Sequence, residues 1–167
     1  MKSSLSTLAA FAFSYCAACL PAHAADLVTV SEKAVLPVSA AKTWNTIRRF
    51  DGLHQWHPAI AATELKSGKA DAKGAVRVLK TADGAAVTEE LLGHDDKLMT
   101  YSYRMTDTPL PVADFKSTIK VTALPSGSSV EWTSSFKAKD GVSDGDAKKM
   151  VAGFHQAGLE KLKAILK

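Results

Sequence analysis

Cysteine is scarce in this chain of 167 residues: there are two, Cys16 and Cys19, and both fall within the first twenty positions. A disulfide scaffold and a zinc site with thiolate ligands are therefore excluded from everything beyond that segment. Aromatics make up only 7%, and neither sign of charge dominates, with Lys+Arg 21 against Asp+Glu 17. The lysines are scattered among acids, and no Arg-rich stripe with interleaved aromatics marks a nucleic-acid surface. There is no Gly-x-Ser-x-Gly elbow and no spaced Ser, His and Asp set, so nucleophilic catalysis has no visible seat. Internal repeats and low-complexity linkers are missing too, which leaves one ordinary domain as the simplest organisation.

What is present begins with an uneven distribution of apolar residues. After the basic start Met1-Lys2, positions 5–25 hold sixteen apolar residues and no charge, and they close with Ala22-His23-Ala24. This is the pattern of a secretory signal peptide, with cleavage expected after Ala24 and a periplasmic or secreted product. The apolar run is short for a membrane span, and Pro21 interrupts its end. The expected mature chain, residues 25–167, has no cysteine, a net charge of +3 and nine of the twelve aromatics. It must be held together by core packing, and a domain of this size buries about two-thirds of its unfolded surface.

Periodicity gives the element order. Positions 28–36 alternate with period two and stop at Pro37, as a strand does. Ser39 can cap a helix running to Phe50, with Ala40, Trp44 and Ile47 on one face. The short run 53–58 reads as a helical turn closed by Pro58, followed by a strand at 60–65. Further alternating segments at 75–80, 86–93, 98–105, 115–124 and 130–138 are separated by turn residues and read as sequential antiparallel hairpins. A last helix at 143–166, entered through Ser143, carries Ala147, Val151, Phe154, Gly158, Leu162 and Ile165 at helical spacing. The fold class is α+β, and the economical way to bury both layers is to curve the sheet around the C-terminal helix.

Several strings within this order are similar to the START-related polyketide cyclase/dehydrase (SRPBCC) family of the Bet v 1-like superfamily. They are Pro37-Val38-Ser39-Ala40-Ala41-Lys42-Thr43-Trp44, Phe50-Asp51-Gly52-Leu53-His54-Gln55-Trp56-His57-Pro58, Gly74-Ala75-Val76-Arg77, Thr88-Glu89-Glu90-Leu91, Tyr101-Ser102-Tyr103-Arg104, Leu110-Pro111-Val112 and Val130-Glu131-Trp132. The resemblance covers nearly all of residues 25–167 and implies a helix-grip fold. The signal peptide with Trp56-His57-Pro58 and Tyr101-Ser102-Tyr103-Arg104 also resembles exported MxaD-like members. That likeness implies an accessory role beside a periplasmic dehydrogenase or its cytochrome partner.

A sheet curled around a helix leaves a cavity wherever inward side chains fail to fill it. Trp56, Tyr101, Tyr103, Trp132 and Phe154 are the candidate lining, although the same pattern also describes plain core. Gly153 and Gly158 are expected to free volume on the last helix. Arg77 and Glu89 fall on inward faces of neighbouring strands and read as an ion pair that orients a ligand or simply satisfies the core. A slip of one residue would put Glu90 inside instead. His54 and His57 are three apart, but without a third ligand nearby they make no metal motif, and they are placed at the cavity rim. His155 is expected to point sideways or outward, and residues 106–114 to form a lid.

The reading is a binding protein for a small apolar or amphipathic molecule, with no expected metal, cofactor or catalytic residue. Two alternatives stay open: the MxaD-like accessory role, and a cyclase or dehydratase using Glu89, Arg77, Tyr101, Tyr103 or His57 as acid and base.

Overall fold

The computed structural model describes residues 27–167, so the expected signal peptide lies outside the described residues. Strand β1 (Val28–Leu36) is followed by helix α1 (Ala40–Ile47), a 3-10 turn at Phe50–Gly52 and the short helix α2 (Leu53–Trp56). Strands β2 (Ile60–Ser67), β3 (Val76–Thr81), β4 (Ala86–Asp95), β5 (Thr100–Asp107), β6 (Val112–Leu124) and β7 (Gly127–Ala138) come next, and helix α3 (Asp144–Ile165) closes the chain. The strands form one antiparallel, seven-stranded sheet in the order β1-β7-β6-β5-β4-β3-β2.

Local chemistry accounts for most boundaries. Ser39 and Ser143 cap α1 and α3, each accepting a bond from a first-turn amide, Lys42 N at 3.3 Å and Asp146 N at 3.1 Å. The hairpin between β6 and β7 needs Gly127, whose φ is +126° and where a Cβ would meet the Leu36 carbonyl oxygen. On β6 and β7, Phe115, Ser117, Ile119 and Val121 face Val130, Trp132, Ser134 and Phe136 on the buried side, while Lys116, Thr118 and Lys120 face outward.

Several boundaries differ from the periodicity, and for three of them the contacts show why. Helix α1 stops at Ile47 instead of reaching Phe50, because Phe50 turns into the core, its N–H bonding Ala70 O at 3.3 Å and its carbonyl accepting from Arg77. Strand β5 begins at Thr100 and not at Leu98, since Asp95 Oδ1 holds the amides of Lys97 and Leu98 in a turn and Leu98 is 65% exposed. Strand β6 starts early, at Val112, with a bulge around Asp114 (φ 54°) absorbing the shift in register. The expected lid at residues 106–114 therefore shrinks to residues 108–111, where Lys139 bonds Thr108 O and Pro111 O.

The buried face of α3 consists of Ala147, Val151, His155, Gly158, Leu159 and Leu162. Phe154 lies at its half-buried edge, and Ile165 is exposed. The stripe is thus rotated from the expected one, and His155 points inward. The cause is a close approach at Gly158: a Cβ there would lie 2.6 Å from His57 Cδ2 and 3.0 Å from Trp132 Cζ3. Gly158 lets the helix touch the layer beneath and frees no volume. Of the two glycines expected to free volume, it is Gly153, with nothing within 4 Å of its position for a Cβ, that borders open space.

Candidate functional site

Between the inner face of the sheet and the middle of α3 lies a cavity of about 480 Å³. Leu79, Val87, Tyr103, Met105, Val112 and Phe115 form its sheet side, and Met150, Val151, Gly153, Phe154, His155 and Ala157 its helix side. Ala82, Asp83 and Gly153 are solvent-exposed and mark the mouth, while Val87, Glu89, Tyr103, Phe115 and His155 are buried. Apart from Glu89, Asp83, His155, Thr81 and the Tyr103 hydroxyl, the lining side chains are apolar. That is the usual composition of a small-molecule pocket.

Glu89 sits in the wall because β3 and β4 place it opposite Arg77 in register. Their side chains are 1% and 2% exposed, with Arg77 Nη2 2.6 Å and Nε 2.7 Å from Glu89 Oε2. Another nitrogen of Arg77, Nη1, donates to the Phe50 carbonyl, and its guanidinium carbon lies 4.0 Å from the Phe50 ring centroid and 5.2 Å from that of Tyr103. Glu90, one residue on, points to the other face and pairs with Arg104 at 2.6 Å. The register thus selects Glu89 as the inward carboxylate.

The pair sits in an environment hostile to charge. Burial raises the Glu89 carboxyl above its ordinary value, opposed by the charge and hydrogen bonds of Arg77. Burial also works against the Arg77 cation, but Glu89 and the two tyrosines more than offset this and raise it. Desolvation pushes Tyr101 up to about 12 and raises Tyr103 further.

Beside Tyr103 runs a buried chain of hydrogen bonds. Trp132 Nε1 donates to Ser117 Oγ at 2.9 Å and to Tyr103 Oη at 3.1 Å. Ser134 Oγ donates to Ser117 Oγ at 2.9 Å and contacts His155 Nε2 at 3.1 Å, and the His155 ring stacks on Trp132 with centroids 4.4 Å apart. Burial, then the proximity of His57, lower His155 to about 3. His57 is lowered by burial to about 4, which leaves its ring neutral; Nε2 donates to Phe154 O at 2.9 Å and Nδ1 accepts from Ala59 N at 3.2 Å.

The expected ligand residues therefore divide into two groups. Glu89, Tyr103 and Phe154 belong to the cavity wall. Arg77, Tyr101, Trp56 and Trp132 are buried behind it, Arg77 as the partner of Glu89 and the others as packing. Trp56 packs against Trp132 with ring centroids 5.5 Å apart and the planes tilted by 57°, and its indole N–H has no acceptor among the described residues. His57 is no rim residue: it is buried as a brace between α2 and α3, whereas His54 is exposed, so the two imidazoles do not face a common ion. Ser117 and Ser134 were available from strand parity, alternating with Phe115, Ile119, Trp132 and Phe136. His155 was available from its spacing to Val151, Gly158 and Leu159.

A curved antiparallel sheet closed by a long C-terminal helix, with a cavity between them, defines a helix-grip protein of the Bet v 1-like superfamily. The chain belongs to the family described as polyketide cyclase / dehydrase and lipid transport, which matches residues 28–167. Among solved structures it is similar to the protein XoxI from Bacillus cereus, at 30% identity and TM-score 0.77 over 83% of this chain and 95% of that one. An uncharacterised protein from Bacillus thuringiensis matches at 30% identity and TM-score 0.76, over 83% of this chain and 98% of its own. The similarity to Ara h 8.0201, at 21% identity and TM-score 0.70 over 84% and 98% of the two chains, is one of fold.

Proposed function

We propose that this protein is a periplasmic binding protein that holds a small apolar or amphipathic molecule between its sheet and α3. The observation that carries the reading is the apolar cavity of about 480 Å³ with a single carboxylate, Glu89, at its buried end. The family description, which includes lipid transport, supports it. A volume of this order suits a molecule of one to three rings or a medium alkyl chain.

Binding is favoured over cyclase or dehydratase chemistry by the tuning of the polar groups. A general acid or base works best with a pKa near the working pH. His155 is lowered to about 3, Tyr103 is raised far from neutrality, and Glu89 is tied to Arg77. These groups orient a ligand better than they exchange protons with it.

The reading is tested by titrating the protein with N-phenyl-1-naphthylamine, a neutral apolar probe, and following methyl resonances. Methyls of Leu79, Val87, Met105 and Met150 are expected to shift and saturate together, while those of Ile47 and Leu162 stay in place. Shifts confined to surface methyls, or no saturation, would contradict it. Export rests on the pattern of residues 1–24. Protein released from its own periplasm by osmotic shock is expected to begin at Ala25, and recovery of the chain only with the cytoplasm would refute that part.

A further inference from the structure

The cavity wall carries charge of one sign. Asp83 stands at the mouth and Glu89 at depth, and no lysine or arginine is part of the lining. The guanidinium that neutralises Glu89 lies behind it, its donors turned to Glu89 Oε2 and the Phe50 carbonyl. Both contacts from Arg77 fall on Oε2, so Oε1 retains its capacity to accept a hydrogen bond.

His155 supplies a second acceptor, and its tautomer follows from counting protons. Ser117 gives its hydroxyl proton to Thr133 O at 2.9 Å, so it accepts from Trp132 and from Ser134. Ser134 has then used its only proton, and its 3.1 Å contact with His155 Nε2 requires the imidazole to donate. Nδ1 is left as a bare lone pair, buried and without a partner among the described residues. A buried acceptor without a partner is costly and points to a donor that the protein itself does not provide. Tyr103 completes the set: its oxygen accepts from Trp132, and its own proton is not used by that bond.

We propose that the cavity selects neutral apolar molecules bearing a hydroxyl group and discriminates against the corresponding carboxylates. This rests on the ligand-binding reading above and names its chemical class. A hydroxyl can give its proton to Glu89 Oε1 or His155 Nδ1 and accept one from Tyr103. A carboxylate would be desolvated beside Glu89, whose charge already takes up that of Arg77, with no further cation in the wall and donors for few of its lone pairs. An ammonium group would add an unbalanced positive charge beside a pair that is already neutral in sum.

The test is displacement of N-phenyl-1-naphthylamine from the full chain at neutral pH by three ligands sharing one ring system: 2-naphthol, 2-methylnaphthalene and 2-naphthoate. The naphthol is expected to bind about tenfold or more tighter than either of the others, since a site built for a hydroxyl rejects analogues lacking it. His155→Phe, which keeps the ring and removes Nδ1, is expected to narrow the gap between naphthol and methylnaphthalene. Equal affinities for those two, or naphthoate binding as tightly as naphthol, would overturn the selectivity while leaving the apolar site intact. If none of the three displaces the probe, the ligand-binding reading fails and the selectivity with it. The wild-type comparison decides the matter even if the variant does not fold.

Discussion

Two ion pairs of the same length lie back to back on this sheet. Arg77–Glu89 faces inward and Arg104–Glu90 outward, each with an N–O distance of 2.6 Å and each joining neighbouring strands. The inner side chains are 1% and 2% exposed, the outer ones 50% and 25%. Identical chemistry therefore has different consequences. The outer pair exchanges water for a partner at little net gain. The inner pair cannot be left half-made, because a lone charge there has neither water nor a counter-ion. The inner face thus favours polar groups in completed sets; of the two groups left without a partner there among the described residues, the Trp56 indole N–H and His155 Nδ1, only His155 belongs to the cavity wall, where a ligand is the partner proposed above.

Breaking the inner pair has the largest expected effect. Arg77→Met should destabilise the fold by about 3–5 kcal/mol in urea denaturation, and Arg77→Met with Glu89→Leu should recover most of that, because no charge is left unpaired. A double variant as unstable as the single one would mean that Arg77 acts mainly through Phe50 and Tyr103. Acidification comes next. His57 and His155 have folded values of about 4 and about 3, below their unfolded value near 6.5, so the unfolded chain binds more protons across that interval. Their contribution is fully present above pH 6.5 and is lost as pH falls, by about 1.4 kcal/mol per unit for each group. Glu89, raised by burial, titrates with the opposite sign, so the histidine share is isolated by comparing the wild type with His155→Phe. The variant should show a slope shallower by about that amount, and parallel slopes would place His155 outside the titration.

Two glycines of α3, Gly158 and Gly153, sharpen the contrast along the helix itself. Gly158→Ala forces a methyl against His57 and Trp132 and should cost about 1–3 kcal/mol, even though alanine favours the helix. Gly153→Ala meets nothing and should stabilise by about 0.5–1 kcal/mol. Matching signs in thermal melts would mean that helix propensity, not the surroundings, governs both positions. Smallest of all, Arg104→Met on the outer face should change stability by no more than about 1 kcal/mol.

The same contrast explains what could be read before the structure. Strand positions, both serine caps and the long helix follow from local patterns, and they appear within a few residues of where the periodicity puts them. The inward parity of Arg77 and Glu89 was readable as well, but the choice between Glu89 and Glu90 needed the register of β3 against β4. What could not be read depends on how layers approach one another. Gly158 looked like spare volume and is a contact point; His155 looked peripheral and is buried; His57 looked like a rim residue and is a brace. Large aromatics drew attention to Trp56, Tyr101 and Trp132, which pack behind the wall, while the small Gly153 and Ala157 border the space. Side-chain size signals burial and does not say which buried residues face the cavity, since Tyr103, Phe115 and Phe154 line it and Trp56, Tyr101 and Trp132 do not.

The ligand site is tested most directly by closing its mouth. Gly153 borders open space at the mouth, where an added Cβ meets nothing within 4 Å, so Gly153→Trp directs an indole into that space. The wild type should bind N-phenyl-1-naphthylamine saturably at one site, and the folded variant about tenfold or more weakly. Equal binding by both proteins, or no saturable binding by the wild type, would contradict the account.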